Sequence, residues 1–405
     1  MTKPHNIPAF LSPALTGLER IVVGLFLTLS LFTLNSCIEP PLNLPAEELM
    51  IDMPAVLTEV KLDVVWNVNV DWATDWHYGW DEVDEKLFGQ LEYPLPTNYE
   101  VRRYFLGENP GMPHTQAGLD RFTIYDTKFR RTYEFGYYDL LIWSNIDSPD
   151  NTQVVEIDED NLDEVTATTT ITRSASLHTR GDDDRPTALY NQPEVFYSAY
   201  KQDLHISRNF DDYDYYDEEE GIWVMEVQAQ TKPLVFIYLV QVIIYNNEDE
   251  HIKSINGDCA ISAMANATSV NTGHTSNTPC MVYFNTRMKK NIDVKGRQAD
   301  IIGGKLTTYG LCDMEGYKLG SRAQYTGSRG DLPNYLYLEF NMSGGTVQTQ
   351  RYEVTEQCQA QCHGGLITIE IDAHDIPNPA GSPGAGSIFN PVVEDYEELS
   401  YDIPM

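Results

Sequence analysis

Basic residues are scarce in this 405-residue chain. It has 27 lysines and arginines against 61 aspartates and glutamates, and its formal net charge at pH 7 is −34. A surface of this sign is repelled by nucleic acid and by anionic membrane surfaces. We therefore expect no nucleic-acid partner, and any membrane attachment has to come from a lipid rather than from charge.

Known catalytic patterns are missing as well. The nine histidines and the many acids form no recognisable serine-histidine-acid set. Gly303-Gly304-Lys305 contains the residues of a phosphate-binding loop but not their spacing. We expect a protein that is not an enzyme and that has no cofactor and no catalytic residues.

Cysteine is rare, with six in the whole chain. The five that follow Cys37 are an odd number, whereas the disulfide framework of a small exported protein is denser and even. A disulfide between Cys358 and Cys362 remains one option, although spacing alone does not establish it. At least one thiol would stay outside any bridge.

The segment Cys358-Gln-Ala-Gln-Cys362-His363 superficially suggests a metal or haem motif. Haem attachment places two residues between the cysteines, and three stand here. A zinc site would need a second ligand pair at a similar spacing. We expect no metal, and instead a turn between two strands in which Gly364 and Gly365 supply positive φ.

A long hydrophobic run is also absent. The uncharged apolar stretch 21–34 has 14 residues, whereas a membrane-spanning helix needs about 20. Its length suits the hydrophobic region of an export signal, with Lys3 and Arg20 as a weak basic flank. A buried core helix and an uncleaved anchor are the other interpretations.

The residues that follow, Leu34-Asn35-Ser36-Cys37, resemble the bacterial lipobox. That resemblance implies removal of residues 1–36, a diacylglycerol on the thiol of Cys37 and an acylated new amino terminus. Several acyl chains together hold a protein stably on a membrane. We expect an outer-membrane lipoprotein, on the cell surface or the periplasmic face, with residues 37–57 as a proline-containing tether.

Most of the remaining chain has the pattern of β-strands. Residues 60–72 alternate between apolar and polar side chains, which is typical of a strand with one buried face. Further strands are predicted at 99–106, 121–126, 137–143, 154–158, 203–207, 222–230 and 366–372, with loops at 166–186 and 210–220. Many short strands separated by turns favour β-sandwiches.

The second half opens with residues 232–247, which are apolar at both even and odd positions. This pattern predicts a central strand covered on both faces. Residues 334–342 and 346–355 flank Ser343-Gly344-Gly345 and predict a hairpin. We expect an all-β protein with one β-sandwich over 58–231 and a second over 232–405.

Two segments could bind a ligand. Trp66, Trp72, Trp76 and Trp80 could stack on sugar rings, although burial in a core or under a lid is the commoner fate of tryptophan. The acidic run 210–220 could hold calcium through carboxylates, but it has no glycine for the sharp bend before Gly221. A solvated loop is the favoured interpretation of that run.

Four segments of the second half form an ordered series, residues 261–277, 296–311, 335–357 and 360–371, and residues 68–72 and 135–145 of the first half precede it. In order and spacing this series resembles the Bacteroides-type lipoproteins of domain of unknown function 5119, a family related to FimB-like fimbrial anchor subunits. Cys362 stands where the family usually has proline, and the insert at 72–96 is longer than usual. The resemblance implies two transthyretin-like β-sandwiches held by lipid at the base of a pilus.

These observations lead to two hypotheses. The first is a non-enzymatic, lipid-anchored envelope protein that serves as a fimbrial anchor or accessory subunit and binds a pilin or another β-sandwich subunit by strand addition. The second is a surface lipoprotein that binds a glycan or a protein through the tryptophan-rich segment 66–80.

Overall fold

The computed structural model describes residues 55–62, 75–91, 93–144, 153–156, 165–172, 189–314 and 332–378, with 55–62, 153–154, 156 and 257–258 as backbone only. These residues belong to one compact unit, Pro54–Met405. The predicted signal, Cys37 and the tether up to residue 54 lie outside the described residues, as do Trp66 and Trp72.

Nineteen strands lie in the described residues. The first eleven are β1 Ala55–Leu62, β2 Tyr99–Gly107, β3 Leu119–Ile124, β4 Lys128–Thr132, β5 Gly136–Ser144, β6 Gln153–Glu156, β7 Thr166–Thr169, β8 Leu189–Tyr190, β9 Tyr197–Ile206, β10 Tyr215–Asp217 and β11 Ile222–Pro233. The other eight are β12 Phe236–Tyr245, β13 Ile252–Ala265, β14 Ala267–Ser269, β15 Pro279–Val294, β16 Arg297–Thr308, β17 Tyr335–Met342, β18 Val347–Glu353 and β19 Gly365–Asp372.

Helices are few and short. Helix α1 spans Glu82–Phe88 and helix α2 spans Thr355–Ala360. Single 3-10 turns lie at Gln116–Gly118, Phe210–Asp212 and Ala373–Asp375. In the described part, no helix is both long enough and apolar enough to cross a bilayer.

The first large sheet has the order β3-β2-β5-β9-β11-β1-β4, and β10 pairs with β11. Strand β11 connects the two halves of this sheet: its residues 224–231 pair with β1, and its last two residues pair with β9. The core between the halves joins side chains of β4 and β11 to those of β2, β5 and β9, including Phe129, Val227, Val101 and Leu140. The expected sandwich in the first half is therefore present.

The second large sheet has the order β18-β17-β13-β15-β16-β12-β19, and β8 pairs with β15. Strand β15 is the connecting strand here, because residues 279–285 pair with β13 whereas residues 286–294 pair with β16. The largest core cluster fills the space between the two halves and includes Val240, Phe284, Leu338 and Phe340. This arrangement is the second β-sandwich.

A third, small sheet, β14-β7-β6, lies beside a cluster shared by both sandwiches. Leu141 and Trp143 of β5 contribute to this cluster from the first sandwich, and Ala265 and Tyr309 contribute from the second. The two sandwiches therefore pack against each other through apolar side chains within one unit.

Most of the strand predictions are confirmed. Strands β17 and β18 form the expected hairpin with matched register from Tyr335↔Glu353 to Asn341↔Val347. Strand β12 lies between β16 and β19 with nine of its ten residues buried, as a doubly covered strand requires. The prediction of an all-β fold is confirmed as well.

Three predictions need correction. The stretch predicted as a loop at 166–186 begins with β7, whose backbone pairs with β14. The acidic run 210–220 contains β10, which forms a hairpin with β11. The segment around Cys358 contains helix α2 rather than a simple turn, and only Gly364 of the two glycines has positive φ, at 93°.

Candidate functional site

Trp76 and Trp80 lie on the second sandwich, although in the chain they lie between β1 and β2, two strands of the first one. Residues 75–91, which we call the covering segment, pack on the outer face of β12 and β16. Tyr78 and the two tryptophans contact Ile243 and Ile301 there, and Tyr93 continues the contact onto Ile237 and Leu239. Part of the stretch expected to belong to the first sandwich thus covers the second.

The alternation of β12 explains why this cover exists. Its even-numbered residues, such as Val240 and Val242, point into the sandwich core. Its odd-numbered residues Ile237, Leu239 and Ile243 point the other way, towards the covering segment. Burying a side chain of this size is worth about 1.5–3 kcal/mol. Without the cover, three such side chains would face water.

The tryptophan rings make their contacts within this cover. The ring centroids of Trp76 and Trp80 are 6.4 Å apart, and Trp80 lies 5.5 Å from Phe88 of α1. Both tryptophans are half-buried. Part of each ring surface is therefore occupied by protein, and stacking of a ligand on Trp66, Trp72, Trp76 and Trp80 remains a prediction.

A glycine allows the cover to approach the sheet closely. A Cβ atom at Gly303 would lie 2.4 Å from the ring of Tyr78, so only glycine fits under that ring. Gly304 faces the opposite side, where a Cβ would lie 2.7 Å from the carbonyl oxygen of Asn285. The Gly-Gly pair of β16 therefore serves packing on both faces of the sheet.

A charged cluster fastens the covering segment to β15. The Asp84 carboxylate, which is completely buried, accepts a hydrogen bond from Tyr78 Oη at 2.6 Å. It also lies 2.8 Å from Arg287 Nη1 and 2.6 Å from Lys289 Nζ. Burial of the ring and the bond to Asp84 raise the pKa of Tyr78 well above its usual value. A buried carboxylate is stable only when it is paired in this way.

Asp81 adds a second carboxylate to the charged cluster. It caps α1 by accepting the backbone N–H groups of Val83 and Asp84, and it lies 2.7 Å from Arg287 and 3.0 Å from Lys289. The hydrogen bond from Lys289 lowers the pKa of Asp81 well below its usual value. Helix capping and the ion pairs therefore share the same two aspartates.

Two further side chains hold the ends of the covering segment. The buried amide of Gln241 on β12 accepts from the backbone N–H of His77 at 3.0 Å and donates to the carbonyl of Asp75 at 2.5 Å. Lys305 of β16 donates to the carbonyl of Gln90. Burial lowers the pKa of Lys305 from 10.5 to about 8.

Replacing Asp84 tests the charged cluster. Asp84→Asn keeps the shape of the side chain but removes the charge that Arg287 and Lys289 face, so we expect a loss of about 3 kcal/mol in the free energy of unfolding. Tryptophan emission should shift to the red as the rings gain water. The matched control is Glu85→Gln, an exposed residue of the same helix. Equal stability of the two variants in urea unfolding would contradict this role.

The lowered pKa of Lys305 predicts that the stability of the protein depends on pH. Between pH 8 and its ordinary pKa, the unfolded chain keeps the lysine proton that the folded chain has lost, so the free energy of unfolding rises with pH. Relative to Lys305→Met, the wild type should gain about 2 kcal/mol between pH 7 and pH 9.5. The exposed Lys86→Met is the control. The same pH slope in wild type and Lys305→Met would refute the effect.

The outer edge of β19 is closed by two glutamines of the helix region. Gln361 donates to the carbonyl of Leu366 at 2.9 Å and accepts from its N–H at 2.8 Å. Gln357 makes the same pair of bonds to Thr368, at 3.0 and 2.8 Å. Each amide imitates one residue of a neighbouring strand, which blocks the addition of a strand at this edge.

The other end of the same sheet is β18. Its exposed residues are Val347, Arg351 and Glu353, and its inner side pairs with β17 throughout. Edge strands offer backbone N–H and C=O groups on their outer side, which another chain can pair with. The two ends of the second large sheet therefore differ: side-chain amides occupy one, and the hairpin strand β18 forms the other.

Removal of the glutamine amides should open the edge of β19. In Gln357→Met/Gln361→Met, the backbone groups of Leu366 and Thr368 lose their partners while the side-chain volume is kept. We expect concentration-dependent self-association, seen by sedimentation velocity. Gln359→Met, on the exposed side of α2, is the control. A double variant that stays as monomeric as this control would show that the amides do not protect the edge.

The remaining candidates from the sequence have structural roles. In the acidic run, Asp217 and Glu220 both pair with Arg130, at 2.8 and 3.0 Å. Cys358 and Cys362 are thiols in the structure, and burial raises the pKa of the Cys358 thiol to about 12. The disulfide between Cys358 and Cys362 stays a prediction.

The charged cluster and the glutamine pair were not found from the sequence. Asp81 and Asp84 have the spacing of a helix cap, which could have located α1. The spacing carries no information on Arg287 and Lys289, which lie far along the chain. Similarly, Gln357 of α2 and Gln361 directly after this helix are four residues apart, but only the fold shows that they face a strand edge.

Comparisons with known proteins give similarity in architecture only. No model of a known protein family matches this chain, and no curated protein matches it. A solved structure of a candidate adhesin from Bacteroides ovatus is 15% identical, with a TM-score of 0.45, and the match covers 80% of this chain and 95% of that chain. The fimbrial anchor protein Mfa2 from Porphyromonas gingivalis is 12% identical, with a TM-score of 0.39 and coverage of 78% and 90%. Similarity at this level does not show an activity or a partner of this chain.

Proposed function

We propose that this chain is a non-enzymatic lipoprotein of the cell envelope that serves as a fimbrial anchor or accessory subunit. The sequence Leu34-Asn35-Ser36-Cys37 after a 14-residue apolar stretch carries the proposal, because it resembles a lipoprotein signal. Acylation of Cys37 would fix the chain to the outer membrane, on its surface or its periplasmic face. Residues 37–57 would then separate the lipid from the first sandwich.

The two-sandwich architecture supports the proposed role as a fimbrial anchor or accessory subunit. It agrees with the resemblance of the sequence to the family of domain of unknown function 5119. A subunit at the base of a polymer needs a place where the next subunit can pair. Backbone pairing at a sheet edge gives affinity, and side chains of alternate residues give specificity.

We assign the docking edge to β18. At the opposite end of its sheet, the amides of Gln357 and Gln361 already pair with β19. Strand β18 carries Arg351 and Glu353 among its exposed side chains, so an incoming strand with complementary charges would be favoured. The partner is a pilin or another β-sandwich subunit.

The alternative is a surface lipoprotein that binds a glycan or a protein through Trp66, Trp72, Trp76 and Trp80. Packing of Trp76 and Trp80 on β12 and β16 gives these two rings a structural role. Tryptophan fluorescence during titration with polysaccharides tests the alternative. A saturable change that Trp76→Phe abolishes would favour it over the anchor.

Photo-crosslinking in intact cells tests the docking edge. A photoreactive amino acid replaces Glu353 on β18 or, as the matched control, Glu370 on β19, which is also an exposed glutamate. We expect adducts with a β-sandwich subunit from position 353 and none from position 370. Adducts from position 370 alone would contradict the assignment, and a lone monomer from both would contradict the anchor role.

Metabolic labelling with a fatty acid tests the attachment separately. The wild type should incorporate the label and Cys37→Ala should not. Label in the variant, or its absence from the wild type, would remove the lipid anchor from the account.

A further inference from the structure

Three side chains from two distant parts of the chain meet beside the turn that follows β12. Asp249 and His251 lie between β12 and β13, and His374 lies in the 3-10 turn after β19. One ligand atom of each lies within 4.8 Å of the other two. His374 Nε2 is 3.9 Å from Asp249 Oδ2, and the two imidazole centroids are 4.9 Å apart.

Hydrogen bonds orient His251 for coordination. Its Nε2 lies 2.8 Å from the carbonyl oxygen of Ile376. A carbonyl only accepts hydrogen bonds, so Nε2 carries the proton and Nδ1 keeps its lone pair. Metal-binding histidines typically donate their second N–H to a carbonyl or carboxylate in this way.

Hydrogen bonds from backbone N–H groups also fix Asp249 and His374. The backbone N–H of His251 donates to Asp249 Oδ1 at 3.1 Å, which leaves Oδ2 on the side of His374. The backbone N–H of His374 donates to Asp372 Oδ1 at 3.0 Å. Asp249 and His251 each use one side-chain atom in a hydrogen bond and keep a second atom for a ligand, and His374 is held through its backbone.

Exposure and charge favour a cation here. The side chains of Asp249 and His374 are 59% and 53% exposed, so an ion can enter and keep water molecules as further ligands. The chain has a formal charge of −34, which raises the local concentration of cations. Two imidazoles and a carboxylate suit Zn²⁺, whereas Ca²⁺ and Mg²⁺ prefer oxygen ligands.

We propose that Asp249, His251 and His374 form a Zn²⁺ site with water in the remaining positions. The ion would join the turn after β12 to the segment that leaves β19. That segment is also held through Asn378, whose side-chain amide donates to Ser343 Oγ at 2.6 Å. We expected no metal from the sequence. Sequence spacing could not indicate this site, because His374 is far along the chain from Asp249 and His251.

Isothermal titration of the mature chain with Zn²⁺ at pH 7.5, after removal of any polyhistidine tag, tests the site. We expect one ion per chain, with affinity lowered at least about tenfold in His374→Ala and in Asp249→Asn. His274→Ala is the control, since His274 is also half-exposed and lies 3.5 Å from an aspartate, Asp313. Both main variants change exposed side chains, and circular dichroism verifies their folding.

A competing zinc site has to be distinguished. Cys362 Sγ lies 3.5 Å from His363 Nδ1 and could also take zinc. Co²⁺ in the proposed site should show no thiolate-to-metal absorption, and Cys362→Ser should bind Zn²⁺ as the wild type does. Absence of Zn²⁺ binding, or binding that survives in His374→Ala and is lost in Cys362→Ser, would overturn the proposal.

Discussion

The structure depends on one constraint: β12 is apolar on both of its faces. A strand of this kind is stable only when protein covers both sides of the sheet. The sandwich core covers one face through Val240, Val242 and their neighbours. The covering segment protects the other face, and this requirement brings residues that lie between β1 and β2 of the first sandwich onto the second one.

Several otherwise unrelated features follow from this cover. Tyr78 needs a glycine beneath it, which explains Gly303. Helix α1 needs an anchor, and the buried carboxylate of Asp84 provides it through Arg287 and Lys289. Because the segment lies between β1 and β2 in the chain, it links the first sandwich to the packing of the second. A ligand that used Trp76 or Trp80 would have to bind without removing this cover.

The sequence predicted the fold class well because strand periodicity is local. The hairpin of β17 and β18, the central position of β12 and the scarcity of helices all follow from side chains within a few residues of each other. What covers β12 could not be predicted, since the partners are far apart in sequence and the cover is not a strand. The same reason applies to the site residues: Gln357 and Gln361 acquire their role only from the position of β19, and His374 meets His251 only in the folded chain. The acidic run was assigned to a loop because its charges suggested solvation, whereas Arg130 neutralises part of it and allows β10 to pair.

The central claim is that the covering segment is part of the folded core rather than a surface loop. Hydrogen–deuterium exchange of the mature chain, followed by mass spectrometry of peptides, tests it most directly. The account predicts that peptides containing α1 and its flanks, residues 76–91, exchange slowly and become labelled together with β12. Complete labelling of 76–91 at the shortest times, while β12 stays protected, would contradict it.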